Sequence, residues 1–306
     1  MLREVLDLFL DEEIVEVFFN GFHQCSVWKF AKSMSCVDGH SFFQSEEQMT
    51  RELQDLAFAQ GLRLDPFHPS CGGMLQGQGN LYRWHAVLKP LAPQGPLLSL
   101  RRARMQVIDL DAFRFRNSFD KDVLIRSIEE GCSLLVAGAT GSGKSTFMNA
   151  LLREFCCEER VGILEQLEEL PLASALWFRL VAQQKNVSGH GEIKLADGFR
   201  DILRLRPDRV VVGELRGDEA RVFFDAVICG HGSCFSTIHA GTPEQALQRF
   251  YSLCLESGVG FEHSMWKIFQ ETVDLCVVQM KRGKAAPVVE CVRRFNASPK
   301  GFALVA

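Results

Sequence analysis

Short apolar runs, each ending at a polar side chain or a glycine, recur through the second half of the chain. Their length and bounding residues predict buried strands at 133–137, 160–165, 209–214 and 234–239. The stretch 146–155 instead places its apolar residues at the spacing of an amphipathic helix. Strands that alternate with helices in this way favour an α/β sheet.

The first part of the chain has a different pattern. An acidic turn and an apolar run over 11–20 predict a strand that Gly21 ends, and helical spacing over 46–60 predicts a helix. Prolines and glycines over 66–80 predict a loop or a wide hairpin. The stretch 81–88 alternates weakly, as a strand does, so this part of the chain is predicted to be a small α+β domain.

Three prolines in the eight residues of 89–96 mark the best linker candidate. We therefore predict an N-terminal α+β domain over 1–95 and a nucleotide-binding domain over 96–306. The run 97–102 is predicted to be the opening strand of the second domain, and the C-terminal part is predicted to close with a hairpin around Gly283.

The composition bounds the class of protein. A chain of 306 residues is expected to hold about two domains. Hydrophobic residues make up 47% and charged residues 24%, as in ordinary soluble proteins. The net charge of −4 and the pI of about 6.1 show no basic excess, so neither nucleic acid nor an anionic membrane is expected as the main partner.

The sequence also bears on the compartment. No apolar run approaches the ~18 residues that a transmembrane helix requires, and Glu4 and Asp7 interrupt any apolar core of a signal peptide. The eleven cysteines include no C-x-x-C arrangement, which favours free thiols in a reducing compartment. We therefore expect a cytoplasmic protein.

One stretch carries a complete phosphate-binding motif. It follows the predicted strand 133–137 and opens the predicted helix, which is the context that a P-loop requires. Its glycines allow backbone N–H groups to turn toward phosphates, Lys144 is expected to reach the β- and γ-phosphates of ATP, and Ser145 to bind Mg²⁺. The motif consists of Gly138, Ala139, Thr140, Gly141, Ser142, Gly143, Lys144, Ser145 and Thr146.

Three further polar residues end predicted strands, at the edge where an open α/β sheet places catalytic groups. Glu214 is the candidate to hold Mg²⁺ through water, and Glu165 to polarise the attacking water. Each could instead be a solvated carboxylate. His239 is a candidate γ-phosphate sensor, although a lone histidine at a strand end is more often structural. The spacing of His231, Cys234 and His239 matches no ordinary zinc site.

These residues carry a family resemblance that covers most of the chain. The sequence resembles the secretion ATPase superfamily of type II and type IV secretion and type IV pili. Within it, the chain looks most similar to the branch of Tad/Flp pilus assembly ATPases and type IV secretion traffic ATPases. The matching segments are 11–21 with the helix near 46–60, 95–102, the P-loop, the acidic box 163–170, the Walker B region 203–217 and the His box 230–240.

The resemblance implies an architecture and an activity. It implies a RecA-like P-loop ATPase core with a smaller N-terminal α+β domain, assembled as a homo-hexamer that hydrolyses ATP with Mg²⁺. It further implies docking on an inner-membrane platform protein, so that the ATPase is peripheral to the membrane. It places ATP between the two domains, near arginines of a neighbouring subunit, and the candidates for such arginines are Arg83 and Arg101.

The chain departs from the family pattern at three places. Gln166 stands where the acidic box has an aspartate, and Cys229 stands where the His box is preceded by a threonine. An arginine expected near 72–75 is absent, although Arg83 matches a later one. Gln166 and the absent arginine bear on the rate of hydrolysis rather than on the nucleotide site.

Two alternatives to a secretion motor remain open. The first is a slow or inactive ATP-binding ring subunit that acts as a regulator or scaffold, which Gln166 would favour. The second is a nucleic-acid motor with the same RecA-like core, against which the acidic pI and the lack of a basic, aromatic-rich stretch argue.

Overall fold

The computed structural model describes residues 2–29, 34–103, 108–230, 233–258, 260–283 and 286–305. The chain divides into two compact units. The first consists of Met1–Arg104 and Gln183–Ile193, and the second of Met105–Ala182 and Lys194–Ala306. In the described parts of the chain, no helix combines the length and the apolar character that crossing a membrane requires.

The first unit contains a six-stranded antiparallel sheet in the order β3-β2-β1-β6-β5-β4. Its strands are β1 (Ile14–Asn20), β2 (Gln24–Lys29), β3 (Met34–Asp38), β4 (Ser70–Gly77), β5 (Asn80–Val87) and β6 (Leu97–Arg102). Its helices are α1 (Leu2–Asp7) and α2 (Glu46–Ala59), with 3-10 turns at Leu8–Leu10 and Gly39–Ser41.

Alternation along the strands divides this sheet into an apolar and a polar face. Val17 and Leu100 are fully buried and pair across β1 and β6, and they belong to the same core as Met49 and Leu53 of α2. Ser45 caps α2 by accepting a hydrogen bond from the Gln48 backbone N–H at 3.2 Å. One side of the sheet therefore carries the core of this unit, and the alternate residues form the other side.

The boundary of the first unit differs from the predicted ranges. The run 97–102, predicted to open the second domain, is a strand inside the first sheet, because its alternate apolar residues complete that core between β1 and β5. Residues 89–96, predicted to be the linker, connect β5 to β6 within the first unit. Ala92, Gly95 and Pro96 in this connection are buried, although its other residues are exposed.

A short segment from later in the chain also belongs to the first unit. Gln183 and Ile193 form an antiparallel bridge at the base of this segment. The Val187 backbone N–H donates to the Gly61 carbonyl at 3.0 Å, and the Gln184 amide donates to the Gly72 carbonyl at 3.4 Å. The chain therefore passes into the first unit a second time and then returns to the second unit.

The second unit is built on a sheet of nine strands in the order β10-β9-β11-β12-β8-β13-β14-β15, with β7 paired to β14. The strands from β10 to β13 in this order are parallel, and β14 and β15 continue antiparallel. The strands are β7 (Arg114–Phe115), β8 (Ser133–Gly138), β9 (Val161–Glu165), β10 (Phe178–Val181), β11 (Arg209–Leu215), β12 (Phe235–Ile238), β13 (Leu275–Lys281), β14 (Val288–Asn296) and β15 (Ala303–Val305).

Helices cover both faces of this sheet. Leu135 and Ala137 of β8 pack toward one cluster of buried side chains, and Leu134 and Val136 pack toward another, as alternation along a strand requires. The first cluster includes residues of α5 (Leu195–Ile202), α6 (Glu219–Ile228), α7 (Pro243–Glu256) and α8 (His263–Thr272). The second includes residues of α3 (Ser118–Glu129) and α4 (Lys144–Phe155). The predicted α/β architecture is therefore confirmed.

A buried ion pair fixes the beginning of β11. Arg209 is 5% exposed and binds Glu159 in a bidentate pair, with Nε–Oε2 at 2.6 Å and Nη2–Oε1 at 2.9 Å. Its Nη1 donates to the Ser233 carbonyl at 3.0 Å, and its guanidinium lies 4.4 Å from the centre of the Phe235 ring. Removal of one partner of such a pair leaves a buried charge without compensation.

We therefore expect Glu159→Ala to lower the free energy of unfolding by about 3 kcal/mol, at the low end of the range for buried pairs because Glu159 is 31% exposed. Urea unfolding followed by circular dichroism measures this change. Glu158→Ala, at the exposed neighbouring carboxylate, is the control. Equal unfolding midpoints for the two variants would contradict the expectation.

Candidate functional site

The P-loop joins the fully buried strand β8 to the first turn of α4. Gly143 precedes the helix with φ of 90°, a conformation that glycine adopts readily and other residues seldom do. A Cβ at Gly138 would lie 2.5 Å from Ser142 Oγ and 2.6 Å from the Met280 carbonyl oxygen, so only glycine fits there. The glycines of the motif therefore serve both turn geometry and close packing.

The start of α4 is arranged to receive an anion. The first N–H groups of a helix have no carbonyl partners within it, and no side chain caps α4 at Gly143. Ser142 is 1% exposed, and among the described residues its Oγ has no hydrogen-bond partner. A buried hydroxyl without a hydrogen-bond partner destabilises the folded protein, unless a bound ligand forms the missing hydrogen bond. The loop thus fits the phosphate groups that its sequence predicts.

Lys144 turns its ammonium group back onto the loop. Its Nζ donates to the Gly138 and Ala139 carbonyls, both at 3.0 Å, and lies 3.4 Å from His239 Nδ1. The residue is 8% exposed. An ammonium group has three N–H donors, and these contacts take up the positions around Nζ in which phosphate oxygens would otherwise bind. Phosphate binding at this loop requires Lys144 to exchange some of these partners.

His239 connects Lys144 to Glu214. His239 Nε2 lies 2.6 Å from Glu214 Oε1, and Arg216 Nη2 donates to Glu214 Oε2 at 2.5 Å. Burial and the nearby Lys144 ammonium lower the pKa of His239, against the influence of Glu214. The ring therefore favours its neutral form, in which it lies between the Lys144 ammonium and the Glu214 carboxylate.

Glu165 ends β9 and is almost completely buried, at 3% exposure. Its Oε1 accepts hydrogen bonds from the backbone N–H groups of Glu169 at 3.2 Å and Leu170 at 3.0 Å. Its Oε2 lies 2.9 Å from Arg179 Nε. Burial raises the pKa of Glu165 to about 7, although Arg179 and the backbone N–H groups oppose the rise. A carboxylate with a pKa near neutrality suits a general base.

Gln166, the departure from the acidic box, has a defined partner. Its side-chain amide donates to Glu219 Oε1 at 2.8 Å, and Glu219 Oε2 accepts from the Gly217 backbone N–H at 2.7 Å. Glu219 is 7% exposed at the start of α6. An amide at position 166 can donate to this buried carboxylate, whereas an aspartate there would repel it. Gln166 thus links the segment after β9 to the segment after β11.

Several of the predicted site residues meet at the carboxyl ends of parallel strands. Lys144, Glu214 and His239 contact one another in a row from β8, β11 and β12. Glu165 lies on the neighbouring strand β9, against the backbone of β11, since a Cβ at Gly213 would lie 3.1 Å from Glu165 Cγ. His231, named in the zinc comparison, lies outside the described residues.

Arg83 and Arg101 belong to the first unit and are direct neighbours there. They pair across β5 and β6, and Arg101 also pairs with Glu16 of β1. All three side chains therefore lie on the polar face of the sheet. Met74 pairs with Arg83 from β4. A methionine thus lies opposite Arg83 within the stretch 72–75, near which the family pattern has an arginine.

The candidate metal ligands fit Mg²⁺ only together with phosphates. Within the described ranges, no group of three or more His, Cys, Asp and Glu side chains could hold a metal ion. Mg²⁺ commonly binds one or two protein oxygens, several waters and the substrate's phosphates. Ser145 on the first turn of α4 and Glu214 at the end of β11 offer such oxygens. Because Arg216 binds Glu214 Oε2 and the His239 ring lies against Oε1, a water-mediated contact fits better than a direct one.

Two arginines of this region were not predicted from the sequence. Arg216 contacts Glu214, and its place two residues after the strand-end carboxylate offered a signal. Arg179 on β10 contacts Glu165 and Glu168, yet the sequence around it is an ordinary short strand. Contacts of this kind depend on strand order, which a local pattern does not reveal.

Comparison with known proteins matches this chain to proteins of secretion and conjugal transfer. A family model described as "Type II/IV secretion system protein" matches residues 86–301. The "Putative conjugal transfer protein Rv3659c" of Mycobacterium tuberculosis is 38% identical over 217 residues, which are 69% of this chain and 62% of that protein. The chain thus spans less than two thirds of that relative's length. The "Conjugal transfer protein TrbB" of Rhizobium radiobacter is 29% identical over 78% of this chain and 72% of its own.

A solved structure shares the fold. The Legionella pneumophila ATPase DotB superimposes with a TM-score of 0.63 over 96% of this chain and 80% of that chain, at 18% identity. At this level of identity the likeness concerns the fold alone. It agrees with the two α/β units described above.

Proposed function

The chain belongs to the type II/IV secretion system protein family, and on that premise we propose that it is an Mg²⁺-dependent ATPase that drives a secretion or pilus machine. The proposal rests on the row of Lys144, His239 and Glu214. This row lies beside a P-loop whose helix, α4, begins without a capping side chain, so that its first N–H groups can bind an anion. The three residues of the row come from three strand ends of one sheet, where phosphoryl-transfer sites of open α/β folds are built.

Each residue of the site has a separate role in the proposed hydrolysis. The N–H groups at the start of α4 and the Ser142 hydroxyl would bind phosphate oxygens, and Lys144 would exchange its carbonyl partners for the β- and γ-phosphates. Bound Mg²⁺ would supply charge neutralisation, with Ser145 and Glu214 as its protein ligands. Glu165 would accept the proton of the attacking water, and His239 would report phosphate binding from Lys144 to Glu214.

We further propose that the working form is a homo-hexameric ring, cytoplasmic and peripheral to the inner membrane through a platform protein. The machine would be a Tad/Flp-type pilus or a type II or type IV secretion system. In such a ring, Arg83 and Arg101 on the polar face of the first sheet would supply positive charge to the ATP site of the same or the next subunit. Gln166, built into a hydrogen bond with Glu219, is compatible with hydrolysis.

Assembly should then control catalysis. We expect turnover per subunit to rise with protein concentration as the ring forms, and Arg101→Ala to lower turnover more than ATP affinity. The loss should stay below the ~10³–10⁵ that an arginine finger contributes in GTPases, since Met74 stands beside Arg83 near the position of the absent arginine. Steady-state hydrolysis, with sedimentation to identify rings, measures both effects.

A mixture of two inactive variants tests whether the arginine acts on a neighbour. Lys144→Ala subunits mixed with Arg101→Ala subunits should regain part of the activity, because some interfaces combine an intact P-loop with an intact arginine. The control replaces the first partner with a subunit that carries both substitutions, so that no interface is whole. Equal inactivity of the mixture and the control, in confirmed rings, would overturn action between subunits.

A further inference from the structure

We propose that Arg179 is a positioning residue that holds Glu165 and the segment after it, residues 166–170, in the arrangement required for hydrolysis. The proposal rests on the ATPase function proposed above. It adds a residue that lies on the edge strand β10, away from the P-loop, Walker B and His box segments.

The contacts of Arg179 converge on one short stretch of chain. Its Nε lies 2.9 Å from Glu165 Oε2, its Nη1 donates to Glu168 Oε2 at 2.9 Å, and its Nη2 donates to the Leu170 carbonyl. The side chain is 11% exposed, although β10 is the outermost strand of the sheet. A planar guanidinium can make all of these contacts at once because its donors point in fixed, divergent directions.

Glu165 is held from its other side by the same stretch. Its Oε1 accepts the backbone N–H groups of Glu169 and Leu170, so that 166–170 folds back on the carboxylate. These N–H groups bind Oε1, and the Arg179 guanidinium lies against Oε2 as an ion pair, in a side chain that is 2% exposed. Parallel pairing of Arg179 with Ile163 and of Val181 with Glu165 sets the strand register that allows this reach.

The charges around Glu165 show why one arginine matters. Among the described residues, Arg179 from β10 is the cation that contacts Glu165; Glu169 from the following segment raises the pKa of Glu165, and Glu168 shares the guanidinium. The contact from β11 is the uncharged backbone of Gly213. Burial already raises the pKa of Glu165 to about 7. Removal of Arg179 withdraws the main opposing influence, so the pKa of Glu165 should rise further and its ionised form should become scarce at neutral pH.

The test compares Arg179→Gln, Arg179→Lys and a matched control. Arg153→Gln is the control, because Arg153 pairs with the exposed Asp109 on the far end of α4. We expect Arg179→Gln to lower kcat at pH 7 by about 10²-fold, as a small misplacement of a catalytic group can. The acidic limb of its pH profile should move to higher pH, fluorescent ATP analogues should bind normally, and Arg179→Lys should recover part of the activity.

Amide exchange provides a readout that does not depend on hydrolysis. The backbone N–H groups of Glu169 and Leu170 should exchange faster in Arg179→Gln than in the unaltered protein, with those of the P-loop helix unchanged. The control variant should leave exchange, kcat and the pH profile as they are.

Two results would overturn the proposal. One is unchanged exchange at Glu169 and Leu170 in Arg179→Gln. The other is a kcat that falls equally at every pH together with nucleotide binding, which would indicate a general structural role. If the unaltered protein hydrolyses no ATP, the function proposed above fails, whereas the exchange measurement still decides the role of Arg179.

Discussion

Replacement of Lys144 by alanine should abolish ATP hydrolysis and weaken ATP binding. Lys144 is the P-loop cation, and its present partners are the Gly138 and Ala139 carbonyls and His239, which phosphate oxygens would partly replace. Loss of one group that stabilises transition-state charge costs about 10²–10³ in rate. Here the loss should be at least that large, because the same side chain also contacts His239 beside Glu214. Turnover and titration with a fluorescent nucleotide measure the two effects.

Lys267→Ala is the matched control for this prediction. Lys267 lies on α8 with 65% of its side chain exposed, and its 3.8 Å pair with Glu271 is a surface interaction of little energetic weight. This variant should hydrolyse ATP at the normal rate. Normal turnover in Lys144→Ala would contradict the function proposed for the whole chain.

Glu165→Gln should bind ATP normally and hydrolyse it about 10²–10⁴ times more slowly, because the amide cannot accept a proton from water. The unaltered enzyme should lose activity below pH 7, since the pKa of Glu165 is about 7 and only the ionised carboxylate acts as a base. Glu214→Gln should differ from Glu165→Gln by raising the Mg²⁺ concentration that half-maximal turnover requires. Hydrolysis rates over a range of pH and Mg²⁺ concentration separate the two roles.

Glu168→Gln is the natural comparison, because Glu168 lies in the same segment, contacts the same arginine and is 50% exposed. It should retain most activity. A normal kcat in Glu165→Gln would remove the proposed base, and low activity in Glu168→Gln or Glu169→Gln would then identify its replacement.

Sequence patterns predicted the elements of the second unit well. The strand over 209–214 is observed at Arg209–Leu215, and the helix over 146–155 lies within Lys144–Phe155. Such elements are set by local periodicity and by the residues that end them. The domain boundary was not predictable in the same way, because the strand Leu97–Arg102 is placed by its pairing with β1 and β5 rather than by the prolines before it.

In the candidate site too, local motifs identify the residues, whereas contacts between residues distant in sequence depend on the strand order. The P-loop and the strand-end residues Glu165, Glu214 and His239 follow from local motifs, whereas the contacts of His239 with Lys144 and Glu214 were not predicted. The bond from Gln166 to Glu219 crosses 53 positions of sequence and depends on β9 lying beside β11. A departure from the family pattern could be seen in the sequence, but its partner could not.

The segment Gln183–Ile193 has a practical consequence for dissecting the molecule. Because it belongs to the first unit but is encoded in the middle of the second, no single cut divides the chain into two self-sufficient fragments. A fragment that ends at residue 104 lacks the Val187 backbone N–H and the Gln184 side-chain amide, which donate to the Gly61 and Gly72 carbonyls, and a fragment that begins at residue 105 carries that segment without its partners. Limited proteolysis after residue 104 should accordingly yield two pieces that stay associated until a denaturant separates them.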